Sequence, residues 1–164
     1  TRGAAACDCG CKEKIAEPLE KYRGAQAFEE MRFKTEQSSK TPKAFMLTFG
    51  SLAMCRARAQ FSCNFFGCAG YQVIDNLGFE TVEEGVEAAV AAGAEIVVLC
   101  SSDDEYAELA PAAFKALNGR AEFVVAGMPA CMDELKEQGI TQYINVRSNV
   151  LETLKAFNAK LGIA

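Results

Sequence analysis

From residue 43 onward, short apolar segments alternate with amphipathic ones. The apolar segment at residues 95–100, EIVVLC, has the length and β-branched character of a central strand buried on both faces. Four more strands are predicted at residues 44–48, 71–75, 122–126 and 142–145. Each strand is followed by a segment whose apolar residues recur at spacings of three and four, which predicts a helix.

The helix predicted at residues 54–69 follows the first strand and a loop at residues 49–53. Its predicted apolar face consists of Met54, Ala57, Phe61, Phe65 and Cys68. Gly70 then ends the helix, as glycine often does after a helix C-terminus.

Polar residues mark the starts of the later helices. Thr81 and Ser102 each precede a glutamate by three residues, which predicts capping boxes, and Asp103, Asp104 and Glu105 suit a helix N-terminus. Pro129 is placed to open the next helix. Ser148 or Asn149 is expected to cap the last one.

Five strands, each followed by a helix, predict a doubly wound α/β fold with helices on both faces of a parallel sheet. The flavodoxin-like strand order 2-1-3-4-5 fits five such units, and it places a crevice between strands one and three. Residues 49–53, 101–104 and 127–131 would line this crevice. Residues 43–164 form the predicted domain, and residues 1–42 form an extension or linker with a helix at 25–37, whose apolar side would include Phe28, Met31 and Phe33.

Charge and cysteine usage limit the possible partners. The net charge is −5 and the pI near 4.9, so we expect no nucleic-acid partner. No apolar run approaches the roughly 20 residues that span a bilayer, so no membrane segment is predicted. Eight cysteines, most of them within predicted helices or at strand ends, fit a reducing cytoplasm. The start at Thr1, without an initiator methionine, predicts a fragment or a processed product.

The chain contains no histidine. This excludes an imidazole metal ligand, a histidine general base and Ser-His or Cys-His nucleophiles within the chain. The cluster of Cys7, Cys9 and Cys11 permits a thiol-based redox or metal module. It lacks the paired C-x-x-C elements of a typical zinc site, so incidental thiols are the simpler interpretation.

The loop after the first strand does not match the common nucleotide or phosphate motifs. The sequence TFGSLAM has one glycine, where a dinucleotide-binding loop needs G-x-G-x-x-G. A Gly-Lys-Ser/Thr phosphate loop is absent, and Thr48, Gly50 and Ser51 are too few donors for a flavodoxin phosphate loop. A receiver domain would need an aspartate where Cys100 ends the third strand.

Residues 43–79, KAFMLTFGSLAMCRARAQFSCNFFGCAGYQVIDNLGF, resemble the C-terminal cobalamin-binding-type domain of methylmalonyl-CoA mutase, as does IVVLCSSDDEYAELAPA downstream. More narrowly, they resemble the small subunit of the bacterial two-subunit enzyme, over residues 20–164. The resemblance implies an isomerase that interconverts methylmalonyl-CoA and succinyl-CoA as a heterodimer. It also implies a large-subunit partner that holds adenosylcobalamin and substrate, and a large barrel domain before this one in complete small subunits.

The resemblance is incomplete at the cofactor motif. Cobalamin-binding members carry D-x-H-x-x-G after the first strand, and here Ala53, Cys55 and Arg58 stand at the Asp, His and Gly positions. The serine pair after the third strand is kept, and a double glycine after the fourth is reduced to Ala126-Gly127. The candidate residues of this degenerate crevice are Gly50, Ser51, Ala53, Cys55, Arg58, Ser101, Ser102 and Gly127.

We therefore expect a structural domain that binds no cofactor and no metal and contributes no catalytic residue. Phe49, Met54 and Met128 are expected to fill the crevice. A competing hypothesis is that the domain binds cobalamin without a histidine. In that case the crevice loops would contact the corrin, or a Cys55 thiolate would coordinate cobalt. The cysteine-based redox or metal module is a second competing hypothesis, and an unrelated small-ligand binder of the same fold is a third.

Overall fold

The computed structural model of the chain describes residues 19–163. Helices and strands alternate in this part after a first helix. The elements are α1 (Gln26–Gln37), β1 (Lys43–Thr48), α2 (Leu52–Gly67), β2 (Gln72–Ile74), α3 (Val82–Ala91), β3 (Ile96–Cys100), α4 (Tyr106–Leu117), β4 (Glu122–Ala126), α5 (Met132–Glu137), β5 (Tyr143–Ile144) and α6 (Val150–Lys160). None of the helices among these residues is long and apolar enough to cross a membrane.

The five strands form one parallel sheet in the order β2-β1-β3-β4-β5. The predicted flavodoxin-like α/β fold is therefore confirmed. Thr48 of β1 pairs in register with Cys100 of β3, so these two strands end at the same level. Their carboxyl ends, together with that of β4, form the crevice expected where the strand order reverses.

Two hydrophobic clusters cover the two faces of the sheet. Alternate residues of β3 belong to opposite clusters. Val98 lies in the cluster with α1, α2 and α6, and Val97 lies in the cluster with α3, α4 and α5. Every β3 residue is buried, which accounts for its continuous apolar sequence. The site therefore rests on a sheet with a packed layer on each side.

Helix α1 packs on the first of these clusters. Met31 is buried there, and Asn158 of α6 joins α1 to the sheet by accepting from Tyr71 Oη at 2.6 Å and donating to Thr35 Oγ1 at 3.1 Å. Burial raises the pKa of Tyr71, so the phenol remains a neutral donor. The domain boundary at residue 43 stays a prediction. Phe33 does not belong to the apolar side of α1, because it is 59% exposed.

Helix α2 differs from its prediction in its start, in its end at Gly67 rather than residue 69, and in its orientation. It begins at Leu52, so Ala53 lies in the helix rather than in the loop. Its buried residues are Cys55, Ala59, Ser62, Phe65 and Phe66, whereas Met54 and Ala57 are exposed. Small side chains allow α2 to approach β1 and β3 closely, and the Ser62 hydroxyl is satisfied by donating to Arg58 O at 2.8 Å. Apolar spacing alone could not distinguish the two faces.

Two other helices, α4 and α5, begin later than predicted. Helix α4 begins at Tyr106, after a turn over residues 102–105, so Ser102 does not cap it. Helix α5 begins at Met132, and Pro129 lies in the preceding turn, where its carbonyl accepts from Met132 N at 3.1 Å. The caps at Thr81 and Asn149 are confirmed, since their side chains accept from Glu84 N and Glu152 N.

Candidate functional site

The crevice lies at the carboxyl ends of β1, β3 and β4. Phe49 N donates to Cys100 O at 3.1 Å, which fixes the loop after β1 against β3. Gly50 then takes φ +74°, a conformation that favours glycine. Gly50, Ser51 and Ala53 are exposed, Arg58 and Ser102 are half-buried, and Cys55, Ser101 and Gly127 are buried. The structure thus brings the candidate residues to one edge of the sheet, at different depths.

The Glu105 carboxylate occupies the space beside Gly50. A β-carbon added to Gly50 would overlap Oε2 of Glu105. The same oxygen accepts from the Ser101 and Ser102 hydroxyls, at 2.8 Å from Ser102 Oγ, and from Ser102 N at 3.3 Å. The bonds from Ser101 and then Ser102 lower the pKa of Glu105, because they stabilise the carboxylate. Glu105 is therefore an ionised group bonded within the loop after β3 and lying against the glycine of the loop after β1, and Ser101 Oγ lies 3.1 Å from Phe49 O of that loop.

Arg58 and Asp103 form an ion pair at the end of β4. Arg58 Nη2 lies 2.9 Å from Asp103 Oδ1, which connects α2 to the loop after β3. A β-carbon added to Gly127 would lie 3.0 Å from Asp103 Oδ1 and 3.2 Å from Arg58 Nη1. The pair therefore lies directly against the glycine, in space that a ligand approaching the backbone would need.

Cys55 lines a small cavity beside Gly50, and its sulfur is hydrogen-bonded to its own helix. The side chain is buried, and Sγ donates to Leu52 O of its own helix at 3.5 Å. Cys100 at the end of β3 is fully buried, 3.8 Å from Ser62 Oγ. Burial raises the pKa of the Cys100 thiol to about 12, so this sulfur is neutral at physiological pH.

Tyr106 supports the crevice from below. It is fully buried; its hydroxyl donates to Ala126 O at 2.6 Å and accepts from Ser101 N at 3.0 Å. Burial raises its pKa, so the phenol stays protonated. The hydroxyl thereby joins the end of β3 to the end of β4. The helical pattern correctly predicted that the side chain at position 106 is buried. The pattern did not indicate a hydrogen bond, and the only signal for one is that this buried residue is a tyrosine, which carries a hydroxyl.

The loop after β2 closes the other side of the crevice. Asn76 Oδ1 accepts from Thr48 Oγ1 at 2.5 Å and from Gly78 N at 3.0 Å, and Phe79 N donates to Thr48 O at 3.2 Å. Arg56 holds the same loop through Asp75, at 2.8 Å between Nη2 and Oδ2. This anchoring was not predicted from the sequence, because it depends on an Asx turn contacting a distant strand.

Aromatic packing occupies part of the expected ligand space. Phe49 is buried, and the Phe79 ring lies 6.4 Å from it between centroids. Of the expected fillers, only Phe49 takes that role, since Met54 and Met128 are 40% and 49% exposed. Two cavities of about 230 and 300 Å³ remain beside Gly50.

The residues present do not fit a corrinoid. The position that the resemblance assigns to the cobalt ligand is a buried cysteine whose sulfur contacts its own helix, and charged side chains occupy the space beside both glycines. The cavities are at or below the small end of the range of about 300–1,000 Å³ that drug-sized ligands use. Among residues 19–163, no group of three or more Cys, Asp or Glu residues is arranged to hold a metal. Cys7, Cys9 and Cys11 lie outside the described residues.

Comparisons with known proteins identify the relatives of this chain. No protein-family model matches it. A methylmalonyl-CoA mutase small subunit from Porphyromonas gingivalis is 68% identical over 156 residues, which are 95% of this chain and 25% of that protein. A small subunit of the same name from Streptomyces virginiae is 30% identical over 152 residues, covering 89% of this chain and 24% of its own length. The chain thus spans about a quarter of these relatives, and over that span it is a homologue of the methylmalonyl-CoA mutase small subunit.

Proposed function

We propose that this chain is a structural segment of a methylmalonyl-CoA mutase small subunit, with no bound corrinoid and no catalytic residue of its own. The large subunit would carry the adenosylcobalamin, the substrate and the isomerisation. The observation that carries the proposal is the occupied crevice, where Glu105 lies against Gly50 and the Arg58–Asp103 pair lies against Gly127.

The chemistry of the crevice supports the same function. A metal-bound imidazole is normally oriented by a hydrogen bond to a carboxylate or carbonyl, and this chain has neither the histidine nor an aspartate at position 53. Two acidic groups at the crevice are engaged, Glu105 by two serines and Asp103 by Arg58, while Glu80 and Glu108 line the cavity of about 300 Å³ beside Gly50. A carboxylate that is hydrogen-bonded in this way stabilises the loop that carries it.

Retention of a corrinoid tests the first part of the proposal. The purified chain is mixed with hydroxocobalamin or adenosylcobalamin, desalted and examined by visible spectroscopy. We expect no corrinoid absorbance above that of an albumin control, and stoichiometric retention would overturn the proposal. A domain that carries D-x-H-x-x-G serves as the positive control.

A series of variants distinguishes two reasons for a lack of corrinoid binding. One is the absence of the aspartate and histidine, and the other is the presence of the Arg58 and Glu105 side chains in the crevice. Cys55→His with Ala53→Asp restores the ligand pair and leaves Glu105 and Arg58 in place. Adding Arg58→Gly and Glu105→Ser removes the side chains that occupy the crevice. We expect the first variant to retain no corrinoid and the second to retain some. Retention by the first variant would show that the side chains do not block the site.

The large-subunit partner is tested by coexpression. A tagged small subunit in which this chain replaces the matched segment of the Porphyromonas gingivalis protein is coexpressed with the large subunit of that organism. We expect the two to copurify in equal amounts with mutase activity. Activity should remain in Cys55→Ala and Glu105→Gln variants that still assemble. A loss of turnover in an assembled variant would assign a catalytic role to the crevice.

A further inference from the structure

A further cavity, of about 360 Å³, lies between α1 and α6. Asn158 lines it and accepts from Tyr71 Oη, and Tyr71 stands one residue before β2. The cavity therefore lies towards the amino ends of the strands, whereas the crevice lies at their carboxyl ends. Its volume is at the small end of the range of about 300–1,000 Å³ that small-molecule sites occupy. A ligand of few atoms would fit there.

Asn158 supplies a buried polar group at this cavity. The residue is 5% exposed, and its Oδ1 accepts from Tyr71. The amide Nδ2 carries two hydrogens, and within the described part of the chain its one acceptor is Thr35 Oγ1, at 3.1 Å. Thr35 Oγ1 itself donates to Met31 O at 3.2 Å, so the amide is held on both sides. Its second hydrogen is available to an acceptor oxygen in the cavity.

Charged side chains from both helices also line the cavity. They are Glu30 and Lys34 of α1 and Lys155 of α6. Glu30 accepts from Gln26 Nε2 at 2.9 Å, and Lys155 pairs with Glu152 at 3.2 Å. Lys34 takes part in none of the ion pairs found among residues 19–163. Its charge is therefore the one left to pair with a ligand, and it selects an anion.

We propose that the cavity between α1 and α6 binds a short aliphatic carboxylate. A carboxylate oxygen would accept the second amide hydrogen of Asn158, and the negative charge would lie near Lys34. The hydrocarbon part would lie against Met31 and Ile163, which line the cavity and are 4% and 9% exposed. The combination of an apolar wall, an amide donor and a lysine suits this class of ligand.

Binding would stabilise the packing of α1 on the rest of the chain. Lys34 belongs to α1 and Asn158 to α6, so a ligand that contacts both binds only when the two helices are packed together. Such a ligand raises the stability of the packed state by mass action. The proposal goes beyond the proposed function and does not depend on it, because none of these residues belongs to the crevice.

Titration of the isotopically labelled chain with sodium butyrate, followed by NMR, tests the proposal. Sodium chloride at the same ionic strength is the control. We expect saturable shifts of the Asn158 side-chain amide signals and an unfolding temperature that rises with butyrate concentration. Butyramide, which has a similar shape without the charge, should bind severalfold more weakly. The absence of a saturable shift at Asn158, or equal binding of butyramide, would overturn the proposal.

Variants that leave the Asn158 network intact give a second measurement. Lys34→Met should weaken butyrate binding about two- to fivefold, and Glu30→Gln should strengthen it, because each removes one charge at the cavity. Lys115→Met is the matched control, since Lys34 and Lys115 are exposed residues in the last turns of α1 and α4. Ala27→Phe fills the cavity from α1 and should abolish binding. An equal loss in Lys115→Met, or unchanged binding in a folded Ala27→Phe chain, would overturn the proposal.

Discussion

The two walls of the crevice come from the same kind of strand-helix unit but contribute different chemistry. The first wall, β1 with α2 (residues 43–67), supplies small residues at Gly50 and Ala53, and two arginines, of which Arg58 reaches the second wall. The second wall, β3 with α4 (residues 96–117), supplies hydroxyls and carboxylates. The acidic side chains of the second wall extend into space left by glycines or reach Arg58 of the first.

This difference lets side chains of the second wall pack into the crevice while the parallel sheet keeps its flavodoxin-like order. The loop after β1 turns at Gly50, which takes a positive φ of 74°. The Ser102 hydroxyl bonds to Glu105, and the Ser101 hydroxyl lies within reach of both Glu105 and Phe49 O, so both serine hydroxyls have a partner. Satisfied polar groups of this kind stabilise a particular arrangement of loops.

The largest effect is expected for the support beneath the second wall. Tyr106→Phe removes a fully buried hydroxyl and leaves Ala126 O and Ser101 N without that partner. We expect a loss of about 1–3 kcal/mol in the free energy of unfolding. Urea denaturation should show a lower midpoint with an unchanged slope.

The control for Tyr106 is Tyr143→Phe. The Tyr143 hydroxyl donates to Ile140 O at 2.8 Å but is only half-buried, so water can replace it. Its removal should cost less than about 1 kcal/mol. Equal losses in the two variants would mean that the Tyr106 hydroxyl does not join the two strand ends.

A smaller effect is expected where the two walls meet at Glu105. Glu105→Gln keeps the shape of the side chain and removes the charge that the two serines stabilise. We expect a loss of about 1 kcal/mol at pH 7 in chemical denaturation. Glu108→Gln is the matched control, because Glu108 lies at the same end of α4 and is exposed. A similar loss for Glu108 would attribute the effect to the helix dipole rather than to the serines.

The pH dependence of this difference sharpens the test. Hydrogen bonds lower the pKa of Glu105 in the folded state below its ordinary value of 4.5. A carboxylate with a lowered folded pKa contributes stability that is complete above the unfolded pKa and is lost as the pH falls through the folded pKa. The stability difference between the parent chain and Glu105→Gln should therefore be constant at neutral pH and shrink below about pH 4.5. A difference that grows on acidification would contradict the assignment.

The fold could be predicted from the sequence, because each strand is a short apolar segment and each crossover is helical. Strand β4 lies at its predicted residues, and the strand order follows from the rules for parallel sheets. The meeting of the loops after β1, β3 and β4 at one edge also followed, since carboxyl ends of parallel strands lie at the same edge of a sheet. The contacts made by side chains in the loops could not be predicted from the sequence, because they depend on which way each side chain points in the folded protein. The sequence places Asp103 and Glu105 at the start of a helix. In the structure Asp103 contacts Arg58, 45 residues earlier, and Glu105 accepts hydrogen bonds from Ser101 and Ser102.

The smallest effect is expected for the ion pair that joins the walls above Gly127. The Arg58 and Asp103 side chains are 25% and 48% exposed, and pairs this accessible contribute below about 1 kcal/mol. A double-mutant cycle with Arg58→Met and Asp103→Asn should give a coupling energy in that range, decreasing with added salt. A coupling well above about 1 kcal/mol would mean that the pair holds the walls together. A weak coupling means that it occupies the space over Gly127 while Glu105 and Tyr106 provide the stability.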